Sequence, residues 1–294
     1  MSDLRKMLKG SDGILKPLVD DFMLENQEKI LVLSDSDIAV ANKVLETQSV
    51  RGEDRSKRTS FSAGQSASCM RAQVINFTKH KQPSSYPPKV LNIFDDGNWR
   101  NVRWIIMFNK MGILVETEET GHNKKYNIGY TPDAIVDLSS YYPDLEGSER
   151  IGVEIKGMNL WEWNNFKDGK PRKYSKWSYS RYMQVHAYML ATGAKYWLVW
   201  GENKNDQDYQ ENLIKRNPET IKYLKNRFPY MQKARDKGIL PALECDMVKE
   251  DKKFNSCNQS EACTKIHKEK LMRKLKPLKN RAKFEREVTR MMLR

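Results

Sequence analysis

No stretch of the chain stays apolar for the about 20 residues that a membrane-crossing helix needs, so a membrane-spanning protein is not expected. The first residues, MSDLRKMLKGSDG, lack the apolar core of a secretion signal, and a cytoplasmic location is expected. Cysteine is scarce: Cys69, Cys245, Cys257 and Cys263 are the whole complement of four. Disulfides are rare in the cytosol, so these read as buried thiols or metal ligands rather than bridges. No internal repeat and no extended low-complexity segment is present. Acid is in deficit, with 38 Asp and Glu against 52 Lys and Arg and a formal net charge of +14. That excess points to a polyanionic partner, nucleic acid first and an anionic surface second. Twelve of the basic residues, against three Glu, lie in residues 264–294; a solvated basic tail is the plainer reading of that segment. A hydrophobic fraction of 39% with 10% aromatics supports a folded core.

Residues 1–58 read as a helical N-terminal extension. LRKMLKG, ILKPLVDDFMLENQEKIL and DIAVANKVLET carry apolar residues at three- and four-residue spacing, with Ser34-Asp35-Ser36 as a cap and RGEDRSKRTS as a linker. A central domain is expected over 59–263 and a basic helical tail over 264–294. In the central domain NIFDDGNWRNVRWIIMFNKMG predicts an amphipathic helix with Trp99, Val102, Ile106 and Phe108 near one face. ILVETEET, GYTPDAIVDLS, IGVEIKGM and KYWLVWGEN predict strands. YSRYMQVHAYMLATG predicts a helix stopped at Gly193, and ENLIKRNPETIKYLKNRFPYMQKARDKG another, interrupted at Pro218. NLWEWNNFKDGKPRKYSKWS reads as a polar, aromatic loop. Strands flanked by helices give an α/β fold.

Three charges sit among the apolar residues of GYTPDAIVDL and IGVEIKGM. Glu154 and Lys156 are two apart on a strand and share a face. Asp133 falls beside them if the strands form a hairpin that reverses near Asp144, in YYPDLEGSE. Two adjacent carboxylates repel, and a hard divalent cation such as Mg²⁺ relieves that conflict. A lysine beside them suits proton handling or the neutralisation of phosphate charge. The bland alternative is an Asp in a turn and an exposed Glu/Lys pair on an edge strand. Downstream, Gln184 and Tyr188 are one helical turn apart; His186, between them, reads as a surface or packing residue.

In this order and spacing, Pro132-Asp133, Glu154-x-Lys156 and Gln184-x-x-x-Tyr188 resemble the PD-(D/E)XK nucleases. The likeness is to their RecB-like exonuclease branch, common in phages and in CRISPR adaptation, and it covers about residues 59–263. It implies a restriction-endonuclease-like core with a central mixed sheet, and a Mg²⁺- or Mn²⁺-dependent DNA nuclease that processes ends in recombination, repair or phage replication. By resemblance Asp133, Glu154 and the Ile155 carbonyl hold the metal, Lys156 assists the attacking water, and Gln184 with Tyr188 positions the phosphate. Asn101, following Gly97, stands where many members carry a metal-binding histidine. A DNA-binding accessory protein with a weakened site is therefore the alternative. Nearby acids, Asp95, Asp96, Glu116 and Glu118, are candidates to compensate.

The cysteines run Cys245-x11-Cys257-x5-Cys263 after the motifs and Cys69 before them. That is not the two close pairs of a zinc site. Some RecB-like nucleases bind a [4Fe–4S] cluster through one cysteine before the core and three after it; the resemblance implies the same here, with Zn²⁺ as runner-up and unrelated thiols as the plain alternative. Bases and aromatics interleave after Lys156, as suits DNA contact. Trp161, Trp163, Arg172, Lys173 and Trp177 are the candidates there, with Arg71 near the first cysteine. DNA ends are the expected partner; a homo-oligomer and a recombination or replication partner stay open.

Overall fold

The structure, a computed structural model, describes residues 13–53, 59–81, 86–167, 176–245, 257–269 and 286. Helices α1 (Lys16–Glu25), α2 (Gln27–Ile30) and α3 (Asp35–Glu53) precede strand β1 (Phe61–Ser62), a 3-10 turn (Ala63–Gln65) and α4 (Met70–Ile75). The long helix α5 (Pro88–Lys110) follows. Four short strands come next: β2 (Leu114–Thr117), β3 (Gly121–Asn123), β4 (Ile128–Tyr130) and β5 (Ala134–Val136). Then come β6 (Ile151–Met158), α6 (Leu160–Phe166), α7 (Lys176–Thr192), β7 (Tyr196–Asn203), β8 (Tyr209–Lys215), α8 (Pro218–Asp236) and α9 (Ser260–Lys268).

A mixed five-stranded sheet in the order β2-β5-β6-β7-β8 forms the centre; β6 and β7 are parallel and the other pairs antiparallel. A three-stranded sheet, β1-β4-β3, lies apart from it. The sheet of five is covered on both faces, which is why β7 is buried along its whole length and reads as a continuous apolar run. On one face Val153, Ile155, Leu198 and Trp200 pack with Val102, Ile105 and Phe108 of α5. On the other, Ile135, Met158, Trp197 and Val199 pack with α7 and α8 through Met183, Tyr188 and Phe228. This is the expected α/β layering of a central mixed sheet between helices. Among the described residues no helix is long and apolar enough to cross a membrane.

Several elements differ from the sequence reading. The buried face of α5 is Val102, Trp104, Ile105, Met107 and Phe108, while Trp99 is exposed. The residues read as the start of a helix at ENLIK form strand β8, because pairing along β7 overrides local preference; Gln207 makes the turn with φ +64°. Leu160–Phe166, read as loop, is a helix started by an Asn159–Glu162 capping box. Arg51–Glu53, read as linker, continue α3. α9 crosses the expected boundary at 263.

The N-terminal helices belong to the same core as the sheet: Leu15, Val19 and Val44 pack in the cluster that holds Val136 and Trp200. Asp37 of α3 accepts bonds from Lys110 (2.8 Å) and Asn109 (2.8 Å) at the end of α5. Burial opposes its ionisation, yet these bonds and those from Ser34 hold the carboxyl well below the usual range. The start of α1 is fixed by Glu211 of β8, whose carboxylate accepts the backbone N–H groups of Ile14, Leu15 (2.8 Å) and Lys16 (2.8 Å). Gly13 allows this approach, since a Cβ there would collide with the Glu211 carboxyl, and its φ is +120°.

Burial pushes the Glu211 carboxyl from 4.5 up to about 7, against the pull of the three N–H groups. A raised folded-state value means that the group's contribution is fully present below 4.5 and is lost as pH rises through about 7. Glu211→Gln removes this titration. Urea unfolding at pH 5 and pH 8 is expected to show a smaller loss of stability across that interval in the variant than in the parent protein.

Candidate active site

β5 and β6 pair with Ala134 opposite Val153, so the reversal is centred midway between them, beside Asp144, and the next position sets Asp133 next to Glu154. The three charges of the two strands do meet. Asp133 Oδ2 accepts the Ile155 N–H at 2.8 Å and lies 3.5 Å from Lys156 Nζ. Lys156 Nζ is 2.7 Å from Glu154 Oε1 and donates to the Ile155 carbonyl at 2.7 Å. The bland placement on a wet edge fails, because β6 is a central strand and Glu154 is 1% exposed.

Helix α7 closes over this group. Gln184 Nε2 donates to Glu154 Oε1 at 2.6 Å and to the Tyr188 hydroxyl at 2.9 Å. Tyr188 in turn donates to the Thr131 carbonyl (3.2 Å), two residues before Asp133. Arg181 Nη1 donates to Gln184 Oε1 at 2.8 Å, so both ends of the amide are fixed. The Tyr188 ring stacks on Trp197 with centroids 4.9 Å apart. Trp197 fits against β6 because its partner there is Gly152, where any Cβ would collide with the indole. Arg181 was missed in the sequence, although its place three residues before Gln184 put it on the same helical face.

One oxygen of this network is left over. Glu154 Oε2 is fully buried and has no hydrogen-bond partner among the described residues. Burial raises the Glu154 pKa first and the charge of Asp133 adds to it, with Lys156 and Arg181 opposing. A buried carboxylate in this condition takes up either a proton or a cation.

The group opens on a cleft of about 850 Å³. Ser60, Ser62 and Gly64 form one side, and the α5 face of Ile93, Phe94, Gly97, Asn98 and Asn101 another. Asn101 thus lies in the same cleft as Asp133 and Glu154. None of Asp95, Asp96, Glu116 and Glu118 lines it. Asp96 is engaged by Arg100 (2.9 Å) and Lys204 (2.8 Å), and Glu116 by Arg150 (2.7 Å). α5 is itself held to the sheet by the fully buried Glu202 of β7, which accepts from Arg100, Arg103 and Trp104 Nε1 (2.6 Å for Trp104).

Two expected DNA contacts are excluded by burial. Trp163 is 4% exposed and packs in the core with Phe166, because it faces inward from α6. Arg71 is 1% exposed, with Nε donating to the Pro241 carbonyl (2.8 Å) and Nη1 to Cys263 Sγ (3.8 Å). Trp161 is exposed. Arg172, Lys173 and the side chain of Trp177 lie outside the described residues. His186 is a packing residue and not a surface one: Nδ1 pairs with the Tyr182 carbonyl (2.8 Å), Nε2 accepts the Asn217 N–H (3.1 Å), and burial lowers its pKa to about 4.

The cysteines gather at one end of the fold. Cys69 precedes α4, whose first N–H, that of Met70, is capped by Glu244 at 3.0 Å, next to Cys245. Cys263, on α9, reaches Arg71. Burial pushes the Cys69 thiol up to about 12, with Glu244 and Cys257 close enough to raise it further. None of the four is in a disulfide. Among the described residues no three His, Cys, Asp or Glu side chains are grouped so as to hold one metal ion.

The chain matches no family model and no curated protein. Among solved structures it is similar to LHK-Exo in complex with dAMP, at 16% identity and a TM-score of 0.45, over 62% of this chain and 90% of that one. A second structure, of an alkaline exonuclease (LHK-Exo) from Laribacter hongkongensis, gives 16% identity and 0.42 over 61% and 89%. SSO0001 gives 13% and 0.38 over 65% and 85%. Likeness at this level transfers no function, and the chemistry of the site rests on its own residues.

Proposed function

We propose that the protein is a Mg²⁺- or Mn²⁺-dependent deoxyribonuclease of the PD-(D/E)XK type, an exonuclease acting on DNA ends in recombination, repair or phage replication. The observation that carries this reading is the unpartnered, buried Glu154 Oε2 beside Asp133 and Lys156. Two hard oxygen donors side by side suit a divalent cation. Asp133 and Glu154 would hold it with the Ile155 carbonyl, and Asn101 is within the same cleft. Bound there, the cation would supply Lewis-acid activation of water and neutralise charge on the scissile phosphate.

The chain's own groups do the rest. Lys156 is one-fifth exposed, so its ammonium reaches the cleft while remaining bonded to Glu154 and Ile155. It places a proton and a positive charge where a phosphate oxygen gains charge during hydrolysis. Arg181, which also lines the cleft, adds a second cation on the α7 side. Gln184 and Tyr188 are positioning residues: they fix the Glu154 carboxylate and tie it to the Thr131 carbonyl, two residues before Asp133.

The cysteines support a second component, a [4Fe–4S] cluster held by Cys69, Cys245, Cys257 and Cys263. Its support is the resemblance, together with Cys257 lying near Cys69 and Cys263 beside Arg71 of α4. A bound cluster requires them to draw closer than the described residues place them. Such a cluster would link the ends of the nuclease domain.

Asp133→Ala is expected to abolish metal-dependent cutting of linear DNA. Lys156→Ala is expected to lower it by about 10²–10⁴-fold, the usual worth of a positioned proton-transfer group. A wild-type protein that binds DNA but yields no product with Mg²⁺ or Mn²⁺ would favour the accessory-protein reading, and equal cutting by the variants would defeat the catalytic one. Protein purified without oxygen is expected to be brown and to contain iron, with colour lost in Cys263→Ala. Colourless protein containing zinc, or no metal, would rule the cluster out.

A further inference from the structure

A second hollow, of about 650 Å³, lies where the turn between β3 and β4 meets the C-terminal half of α8. Lys124 and Lys125 line it from the turn, Lys233 and Arg235 from the helix and Lys237 from just past its end; Asp236 is the one acid among the lining residues. Arg235 is engaged within the fold, and Lys125 lies over the Tyr126 ring at 5.6 Å. Asp236 is engaged by Arg235 (3.4 Å) and by Gln232 (2.6 Å). Arg235 also donates to the Thr59 carbonyl (2.7 Å) and lies over the Phe77 ring. Lys124, Lys125, Lys233 and Lys237 are exposed, and none forms an ion pair among the described residues. They stand on a fixed base. His122 pairs with Asn127 (2.9 Å), Asn127 donates to Gln232 (2.7 Å), and Gln232 donates to Asp236, binding the turn to the helix.

The position of this hollow gives it an occupant. The three-stranded sheet connects it to the catalytic cleft: Thr59, His122 and Asn127 line the hollow, and Ser60, Thr120 and Thr131 line the cleft. From Asn127 to Thr131 the chain advances four residues, about 13 Å at about 3.3 Å per residue. B-DNA presents a phosphate on each strand about every 3.4 Å of axis, so this is a span of about four base pairs. A four-lysine rim joined to the cleft by that short strand matches a polyphosphate track in sign. We propose that the hollow grips the sugar–phosphate backbone of the duplex DNA whose end is seated in the cleft. The inference rests on the nuclease reading for the identity of the strand in the cleft, while the grip itself is a binding property and is measured without cutting.

The test is the salt dependence of binding to a short labelled duplex, measured without divalent cation. The quadruple variant Lys124→Gln, Lys125→Gln, Lys233→Gln, Lys237→Gln is compared with wild type. A charge-matched control replaces Lys29, Lys215, Lys222 and Lys225, exposed lysines outside the hollow, by Gln. Circular dichroism establishes that each is folded. Each lost phosphate contact flattens the slope of log K against log salt by about 0.9. The hollow variant is expected to be flatter than wild type by about two units or more, and the control to be close to wild type. An unchanged slope, or equal flattening in the control, overturns the proposal. A wild type that cuts DNA while the hollow variant keeps its slope defeats this site alone. One that binds steeply, loses the slope in the hollow variant and never cuts defeats the nuclease reading and leaves the grip standing.

Discussion

Everything in the site follows from placing one carboxylate, Glu154, on the face of a central strand that a helix then covers. An ionised carboxyl removed from water is costly unless other groups stand in for the solvent. Lys156 and Gln184 do so for one oxygen, and none of the described residues does so for the other. The fold thus holds an oxygen that is deficient by one partner, with the second carboxylate, Asp133, beside it. An apolar residue there would leave no buried oxygen to satisfy, and under the proposed function Glu154 is retained as a cation ligand.

Much of the surrounding structure serves to keep that arrangement in register. Gly152 admits Trp197, Trp197 supports the ring of Tyr188, and Tyr188 bridges Gln184 to the backbone at Thr131. The opposite wall of the cleft depends on a second buried acid, Glu202, which clamps Arg100, Arg103 and Trp104 and so fixes α5 against β7. One buried glutamate is fully satisfied and holds a helix; the other is not, and faces a cleft. Under the proposed function the contrast is between a structural acid and a chemical one within a single sheet.

The sequence disclosed the site better than its setting. Asp133, Glu154 and Lys156 were legible because strand periodicity and the turn near Asp144 fix their relative positions, and Gln184 with Tyr188 because a helical turn does. Arg181 obeyed the same spacing and was overlooked for want of a motif. Trp163 and Trp161 look alike in sequence, yet an Asn159 capping box makes their segment a helix and turns one inward and one outward. Arg71 carries a charge normally found outside, and only the folded contacts with Pro241 and Cys263 show it inside. Strand β8 was hidden because its pairing with β7 is a tertiary fact. The basic hollow joins residues about a hundred positions apart, which no local pattern reveals.

The central claim is that Asp133 and Glu154 form one cation site. Direct titration with Mn²⁺, by calorimetry or by the paramagnetic signal of the free ion, tests it without any substrate. The account predicts saturable binding to the wild-type protein that is lost in both Asp133→Asn and Glu154→Gln, with both variants still folded. Mn²⁺ binding of equal strength in wild type and in both variants would contradict it.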